Sequence, residues 1–358
     1  MTCDTAPVRT GEELDVGVLT DYLRGKIEGV HAGITVEQFP SGHSNLTYLL
    51  RTNQDGCEYV LRRGPLGPVA PKAHDMAREF HLLEMVHPHF PPAPAAILLC
   101  DDPTILGSTF FVMERRRGVI LHDVIPPELA ALPNCAELIS EVFVDCFARL
   151  HAFNVFNTGL VTRGKPEGFL VRQVQGWGER WHRAITDDIP KVSATKMDSV
   201  IRWLGDRMPV SPPPTLVHND YKLDNIMLHA ECPPSVAAVL DWEMATIGDP
   251  LADVGLALSY WIWAQAAVPP GSALPSLTSQ PGWYTRDQFV ERYAQQTGRD
   301  LSQIAYYEVL GVFKLAVILQ QIYYRFRRGQ TSDPRFQDFG ERVHALIEVA
   351  SILMGKLT

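Results

Sequence analysis

Four polar side chains in the middle of the sequence have the types and spacing that phosphoryl transfer requires. Asp220, Lys222 and Asn225 follow one apolar run of the chain, and Asp241 follows a second. The reaction needs a carboxylate that accepts or orients the attacking hydroxyl, oxygen ligands for Mg²⁺ and a cation that offsets the phosphate charge. We assign the first role to Asp220 and the last to Lys222. Asn225 and Asp241 are the expected metal ligands.

The apolar runs around these residues predict the strands that position them. Residues 218–225 form a polar loop between two short strand-like runs, and Asp241 ends a third. That arrangement would gather Asp220, Asn225 and Asp241 at one point. His218 is expected to hold the loop by hydrogen bonds, since Asp220 already fills the position of the base.

Two further acidic residues are interpreted as scaffold. Asp249 precedes Pro250, which is the pattern of an N-cap followed by the first residue of a helix. Asp253 lies one turn farther along that helix and is expected to brace the loop that carries Asp220.

The character of the whole chain changes near residue 115. Before it, short β-like runs alternate with turn residues, and one stretch between Pro71 and His87 has helical spacing. The runs lie at residues 35–39, 46–51, 58–62, 96–100 and 109–113. After Leu121 most signals are helical. We predict an α+β fold with two lobes, a small β-rich N-terminal lobe at residues 1–114 and a larger, mainly helical C-terminal lobe at residues 115–358.

The composition excludes several classes of protein. Hydrophobic residues make up 46% of the 358 residues and charged residues 20%, which is ordinary for a globular protein and unlike a disordered chain. The formal net charge of −9, with no basic block longer than residues 115–117, argues against a nucleic-acid partner. The uncharged stretch at residues 254–285 is broken by Gln265 and Pro269, short of the ~20 apolar residues of a membrane span.

The cysteines and the N-terminus indicate a cytoplasmic protein. Six cysteines are scattered without a CxxC pair, as expected for reduced thiols. Acidic residues precede the first apolar run, and no signal peptide is visible.

The central motifs resemble those of a known family. His218-x-Asp220-x-x-x-x-Asn225 matches the catalytic loop of the aminoglycoside phosphotransferase-like branch of the protein-kinase-like fold, and Asp241 matches its magnesium-binding aspartate. Together with residues 248–253, these motifs are most similar to the kinase-like domains associated with acyl-CoA dehydrogenases. The resemblance covers nearly the whole chain. It implies the bilobal fold, ATP as the phosphate donor and Mg²⁺ as the cofactor.

The resemblance also assigns nucleotide-binding residues in the N-terminal lobe. The turn at residues 41–45 stands where a phosphate-covering loop should be, although it has one glycine instead of three. Period-2 alternation puts Val60 and Arg62 on one face of the predicted strand at residues 58–62. Arg62, with Arg63 as the alternative, replaces the usual strand lysine, and Glu79 is the carboxylate that would anchor it. Residues 111–116 match the hinge that binds adenine. The assigned residues are Ser41, Gly42, His43, Ser44, Asn45, Val60, Arg62, Glu79, Met113, Glu114 and Arg116.

We therefore expect a Mg²⁺-dependent, ATP-using phosphotransferase that acts on a hydroxyl group of a small molecule. Residues 287–358 carry eight acidic and nine basic side chains, without the carboxylate surplus that a polycationic aminoglycoside requires. A neutral or anionic acceptor such as a hydroxyacyl-CoA is favoured. Three alternatives stay open: a true aminoglycoside phosphotransferase, a catalytically weak nucleotide-binding scaffold of the same fold, and a metal-dependent hydrolase, which would need more ligands. The sequence leaves the oligomeric state open.

Overall fold

In a computed structural model, the described residues are 4–40, 45–65, 75–261, 277–331 and 333–357. The chain divides into two compact units. The first contains Met1–Gly118 and Ala237–Glu243, and the second contains Val119–Val236 and Met244–Thr358. The sequence placed the boundary after residue 114 and residues 237–243 in the second lobe. That the two lobes are separate domains stays a prediction.

The return of residues 237–243 to the first unit has local causes. The Val239 backbone N–H donates to the carbonyl of Pro92 at 2.9 Å. The ring of Trp242, which is fully buried, packs edge-on against Phe90 with centroids 6.1 Å apart. Sequence order alone does not reveal such a return of the chain.

The first unit is built on a five-stranded antiparallel sheet in the order β1-β2-β3-β5-β4. The observed strands lie within one residue of the predicted bounds. The strands are β1 Ile34–Gln38, β2 Leu46–Thr52, β3 Glu58–Arg63, β4 Ala96–Cys100 and β5 Phe110–Glu114, and the helices are α1 Val16–Leu23, α2 Met76–Val86 and α3 Pro103–Leu106.

Period-2 alternation gives this sheet two faces. Tyr48, Leu61 and Val112 lie on one face and form a single buried cluster with Leu19 of α1. The other face carries Val60, Arg62, Phe111 and Met113, and α2 covers it. Phe80 of α2 meets Phe111 edge-on at 6.1 Å. The predicted placement of Val60 and Arg62 on one face is therefore observed.

The second unit is mainly helical, as predicted. Two antiparallel strand pairs, β7 with β10 and β6 with β8, hold its loops. Its strands are β6 Val119–Ile120, β7 Thr215–Val217, β8 Ile226–His229 and β10 Thr246–Gly248, while β9 Ser235–Val239 leads into the first unit. Its helices are α4 Pro127–Ala130, α5 Cys135–His151, α6 Phe169–Ala184, α7 Lys191–Asp206, α8 Pro250–Trp261, α9 Arg286–Thr297, α10 Ile304–Arg327 and α11 Phe339–Gly355.

Helices α8 and α10 cross at two glycines. A Cβ atom on Gly311 would lie 2.2 Å from the carbonyl oxygen of Gly255, so only a glycine permits this approach. Helix α10 packs against α6, α7, α8 and α11. By length and composition it could cross a membrane, but 67% of its most apolar window is buried inside the protein, which is the burial of a core helix.

Candidate active site

Asp253 braces the loop at residues 218–225, here called the Asp220 loop. The Asp253 carboxylate accepts the backbone N–H of His218 at 2.5 Å and that of Asn219 at 2.8 Å. Asp253 lies on α8, which begins at Pro250, and the Asp249 side chain accepts the N–H of Leu251 at 2.9 Å. Both scaffold roles expected from the sequence are therefore present.

Among the described residues, three side chains donate to the carboxylate of Asp220. The Asn225 amide donates to Oδ2 at 2.8 Å, and the Lys222 ammonium group lies 3.1 Å from the same oxygen. The Tyr260 hydroxyl donates to Oδ1 at 3.1 Å. An ionised carboxylate can accept about four hydrogen bonds. The Oδ1 atom can therefore accept one more, for example from the hydroxyl group of a substrate. These contacts hold the carboxylate in a defined orientation, and its role as the general base stays a prediction.

Tyr260 was not assigned to the site from the sequence. Burial and then the nearby Asp220 charge raise its pKa well above the usual value, so the hydroxyl keeps its proton and remains a donor. Helical spacing could have identified Tyr260, because it lies seven residues after Asp253 and therefore on the same face of α8.

A buried network supports Asp253 from behind the loop. Burial would raise the pKa of Asp253, but hydrogen bonds from the His151 side chain and the His218 backbone hold it below the usual value. Burial lowers the pKa of His151. A neutral His151 can donate from Nε2 to Asp253 at 3.3 Å and accept the Tyr293 hydroxyl at Nδ1 at 2.7 Å. The Asp220 loop thus rests on a satisfied polar core.

In the first unit, Arg62 joins two carboxylates in what we call the Arg62 cluster. Its guanidinium lies 2.7 Å from Glu79 and 2.9 Å from Asp241. Burial raises the pKa of Glu79 to about 7, although the Arg62 charge opposes this shift. Arg63, the alternative cation, points to the opposite face of the sheet by alternation. Arg62 is therefore the β3 cation that Glu79 anchors, and its role toward phosphate stays a prediction.

Asn45 contacts the returning segment of the first unit. Its amide donates to the Glu243 carboxylate at 2.7 Å, two residues beyond Asp241. The other predicted residues of the phosphate-covering turn lie outside the described residues; these are Ser41, Gly42, His43 and Ser44.

The hinge residues lie where the sequence placed them, at the end of β5. Met113 pairs with Val60 in the sheet. The Glu114 backbone N–H donates to Ala95 at 2.9 Å, and its side chain lies 3.0 Å from Arg116. The Arg116 side chain also donates to the Pro91 carbonyl at 2.8 Å. These side chains hold the chain before β4, and adenine binding by the nearby backbone stays a prediction.

The two predicted magnesium ligands have suitable chemistry. The amide nitrogen of Asn225 donates to Asp220, so its carbonyl oxygen is the atom offered to a cation. Asp241 offers a carboxylate, and Mg²⁺ prefers a few such oxygens together with water and phosphate. Within the described ranges there is no cluster of three or more His, Cys, Asp or Glu residues that could hold a metal by itself. Asn225 belongs to the second unit and Asp241 to the first, and their joint role stays a prediction.

Comparison with known proteins identifies relatives over nearly the whole chain. Acyl-CoA dehydrogenase family member 10 of Mus musculus is 33% identical over 351 residues, which cover 97% of this chain and 32% of that protein. The chain spans about a third to just under half the length of the curated relatives it matches first.

Solved structures share the fold. A Ralstonia eutropha protein provisionally named an aminoglycoside phosphotransferase is 29% identical with a TM-score of 0.79, covering 96% of this chain and 99% of that one. The kanamycin and GDP complex of the aminoglycoside phosphotransferase APH(2″)-IIIa has a TM-score of 0.61 at 15% identity, covering 93% and 98%.

The predicted fold and family are both confirmed. The sequence profile of the phosphotransferase enzyme family matches residues 35–307. The predicted likeness to proteins named after acyl-CoA dehydrogenases is also found. The chain belongs to the phosphotransferase enzyme family, with the protein-kinase-like fold.

Proposed function

We propose that this chain is a small-molecule kinase that transfers the γ-phosphoryl group of ATP to a hydroxyl group of its acceptor. The observation that carries the proposal is the Asp220 carboxylate, oriented by Asn225, Lys222 and Tyr260 at the end of β7. A carboxylate in that position accepts the proton that the attacking hydroxyl loses. Family membership supports the same reaction class.

The remaining residues have roles that follow from their charges. Lys222 supplies positive charge beside the base, and Arg62, anchored by Glu79, supplies it on the nucleotide side. Asn225 and Asp241 would hold Mg²⁺, which when bound neutralises charge on the phosphate oxygens. Each of these groups stabilises charge by position, as phosphoryl transfer requires.

For the acceptor, the proposal names a neutral or anionic hydroxy metabolite such as a hydroxyacyl-CoA. The eight acidic residues of the segment 287–358 do not outnumber its nine basic residues. Glu308 pairs with Arg286, Asp333 pairs with Arg335 and Glu348 pairs with Lys196. A polycation would find few carboxylates there. The names of the longer relatives point in the same direction.

Steady-state kinetics with ATP and Mg²⁺ tests this assignment. ADP release is followed with a series of hydroxyacyl-CoAs and with kanamycin, and Asp220→Asn serves as the inactive control. Turnover on the acyl compounds with little on kanamycin is expected. Efficient kanamycin turnover with none on the acyl compounds would instead establish an aminoglycoside kinase. If the protein binds nucleotide but releases no ADP with any of the acceptors, the result would favour a catalytically weak nucleotide-binding scaffold.

We also propose a cytosolic location. The cysteines of the described residues are free thiols, two of them buried, and free thiols persist in a reducing compartment. Fractionation of cells that produce the protein tests this, and recovery outside the cytosolic fraction would contradict it.

A further inference from the structure

Lys314 is a buried cation that the reaction as proposed above does not use. It lies on α10 with a relative exposure of 6%. Its ammonium group lies 3.3 Å from the backbone carbonyl of Asn219 and 3.1 Å from the side-chain oxygen of the same residue. The Trp177 ring is 5.4 Å away. A buried ammonium group is costly unless its contacts repay the loss of water, so this placement calls for a function.

Asn219 directly precedes the catalytic carboxylate and has a left-handed backbone, with φ of 64°. Few residues other than glycine adopt this conformation, and asparagine tolerates it best. Its backbone N–H donates to Asp253, and its side-chain amide donates to the Met244 carbonyl at 3.2 Å. The carbonyl that Lys314 binds belongs to the peptide group joining Asn219 to Asp220. Fixing that peptide plane fixes the position of the Asp220 Cα atom, from which the carboxylate side chain leaves the backbone.

We propose that Lys314 is a positioning residue for the catalytic base, because its ammonium group locks the Asn219–Asp220 peptide group and thereby the orientation of the Asp220 carboxylate. The inference rests on the proposed function of Asp220. The fold supports it independently. Gly311, one turn before Lys314, brings α10 against the backbone of α8, so the ammonium group is held at a fixed depth behind the loop.

The charge of Lys314 gives the proposal a distinctive pH signature. The charged groups that face it are Asp220 of the loop, Asp253 of α8 and Arg180 of α6. Burial lowers the pKa of Lys314 to about 8, although both aspartates oppose the shift. The cation is present below that pH and lost above it. Turnover should therefore decline as the pH rises through about 8.

Three substitutions test the role of Lys314. Lys314→Met removes the donor, Lys314→Arg keeps the charge with a guanidinium that does not titrate in this range, and Lys196→Met is the control. Lys196 forms an ion pair with Glu348 elsewhere in the second unit. The kcat of Lys314→Met is expected to fall by about 10- to 100-fold, the effect of one lost charge-assisted hydrogen bond. Its KM for ATP should stay within about twofold.

Partial rescue separates positioning from simple packing. Lys314→Arg should recover part of the kcat and lose the decline near pH 8. A purely structural role would not move the pH profile in this way. If Lys314→Met does not fold, Lys314→Gln, which retains a neutral donor, takes its place in the comparison. A parental kcat in the uncharged variant, or a pH profile unchanged in Lys314→Arg, would overturn the proposal.

Amide hydrogen exchange supplies a readout that does not require activity. Peptides spanning residues 217–226 should exchange faster in Lys314→Met than in the parent, while peptides of β1 to β3 should not change. If the parent transfers no phosphate to any acceptor, the proposed function fails, and exchange alone judges whether Lys314 locks the loop. Unchanged exchange at residues 217–226 would then overturn the inference.

Discussion

The Arg62 cluster of the first unit and the Asp220 loop of the second are held by different forces. Arg62 is surrounded by negative charge, with Glu79 and Asp241 in direct ion pairs. The Asp220 loop depends on directed hydrogen bonds, from its backbone to Asp253 and from side chains to the Asp220 carboxylate. The stability of the Arg62 cluster should therefore depend on the ionisation of its carboxylates, whereas the Asp220 loop should depend on the positions of the groups that hydrogen-bond to it.

The largest expected effect is the loss of the base in the Asp220 loop. Asp220→Asn keeps the shape of the side chain but cannot accept the hydroxyl proton, so kcat should fall by about 10²–10⁴. Nucleotide affinity should stay nearly unchanged. Asp198→Asn, at an exposed residue of α7, is the matched control. Turnover of Asp220→Asn at the parental rate would show that the base has been misassigned.

Removing Asp241 should weaken nucleotide binding and also lower turnover. Asp241→Ala deletes a partner of Arg62 and a predicted metal ligand, and we expect Mg·ATP to bind about 10- to 100-fold more weakly, as when the partners of metal ligands are lost. Calorimetric titration measures this directly. Glu58→Ala removes an ion-paired carboxylate of the same unit and is the control. Unchanged affinity in Asp241→Ala would remove Asp241 from the metal shell.

Much of the fold and the central motif could be predicted from local sequence. The spacing of Asp220 and Asn225 identified the loop, and period-2 alternation placed Val60 and Arg62 on one face of their strand, as observed. Both signals are local, because neighbouring residues in the sequence determine a loop between strands and the alternation of side chains along a strand.

The features that sequence reasoning missed depend on tertiary packing. Tyr260 and Lys314 reach the Asp220 loop from α8 and α10, whose approach is set by the crossing of Gly255 and Gly311. No spacing within a single segment reports which helices cross. The return of residues 237–243 to the first unit was missed for the same reason.

A pH titration of stability should show the charge dependence of the Arg62 cluster. Burial is the main cause of the raised pKa of Glu79, and Asp241 and Glu243 add to it. The pKa of Glu79 is higher in the folded protein than in the unfolded chain, so the folded state binds this proton more tightly. The resulting contribution to the free energy of unfolding is fully present below about pH 4.5 and is lost as the pH rises through about 7. Glu79→Gln removes this titration.

The free energy of unfolding of Glu79→Gln, relative to the parent, should therefore rise by about 2 kcal/mol between pH 5 and pH 8. Denaturant unfolding at the two pH values measures the difference. Glu128→Gln, at an exposed residue of α4, is the control. A relative stability of Glu79→Gln that falls with pH would mean that the ion pair with Arg62 outweighs the effect of burial.

The smallest expected effect concerns Tyr260, which shares the Asp220 carboxylate with Asn225 and Lys222. Tyr260→Phe removes the hydrogen bond to Oδ1 but leaves Asn225 and Lys222 in place, so kcat should fall only about 5-fold, as for one neutral hydrogen bond. The KM for ATP should not change. Tyr306→Phe, which removes a buried hydroxyl bound to the Leu204 carbonyl at 2.9 Å, is the control. A rise in kcat would contradict the positioning role, because it would mean that the Tyr260 hydroxyl competes with the acceptor hydroxyl for Oδ1 of the base.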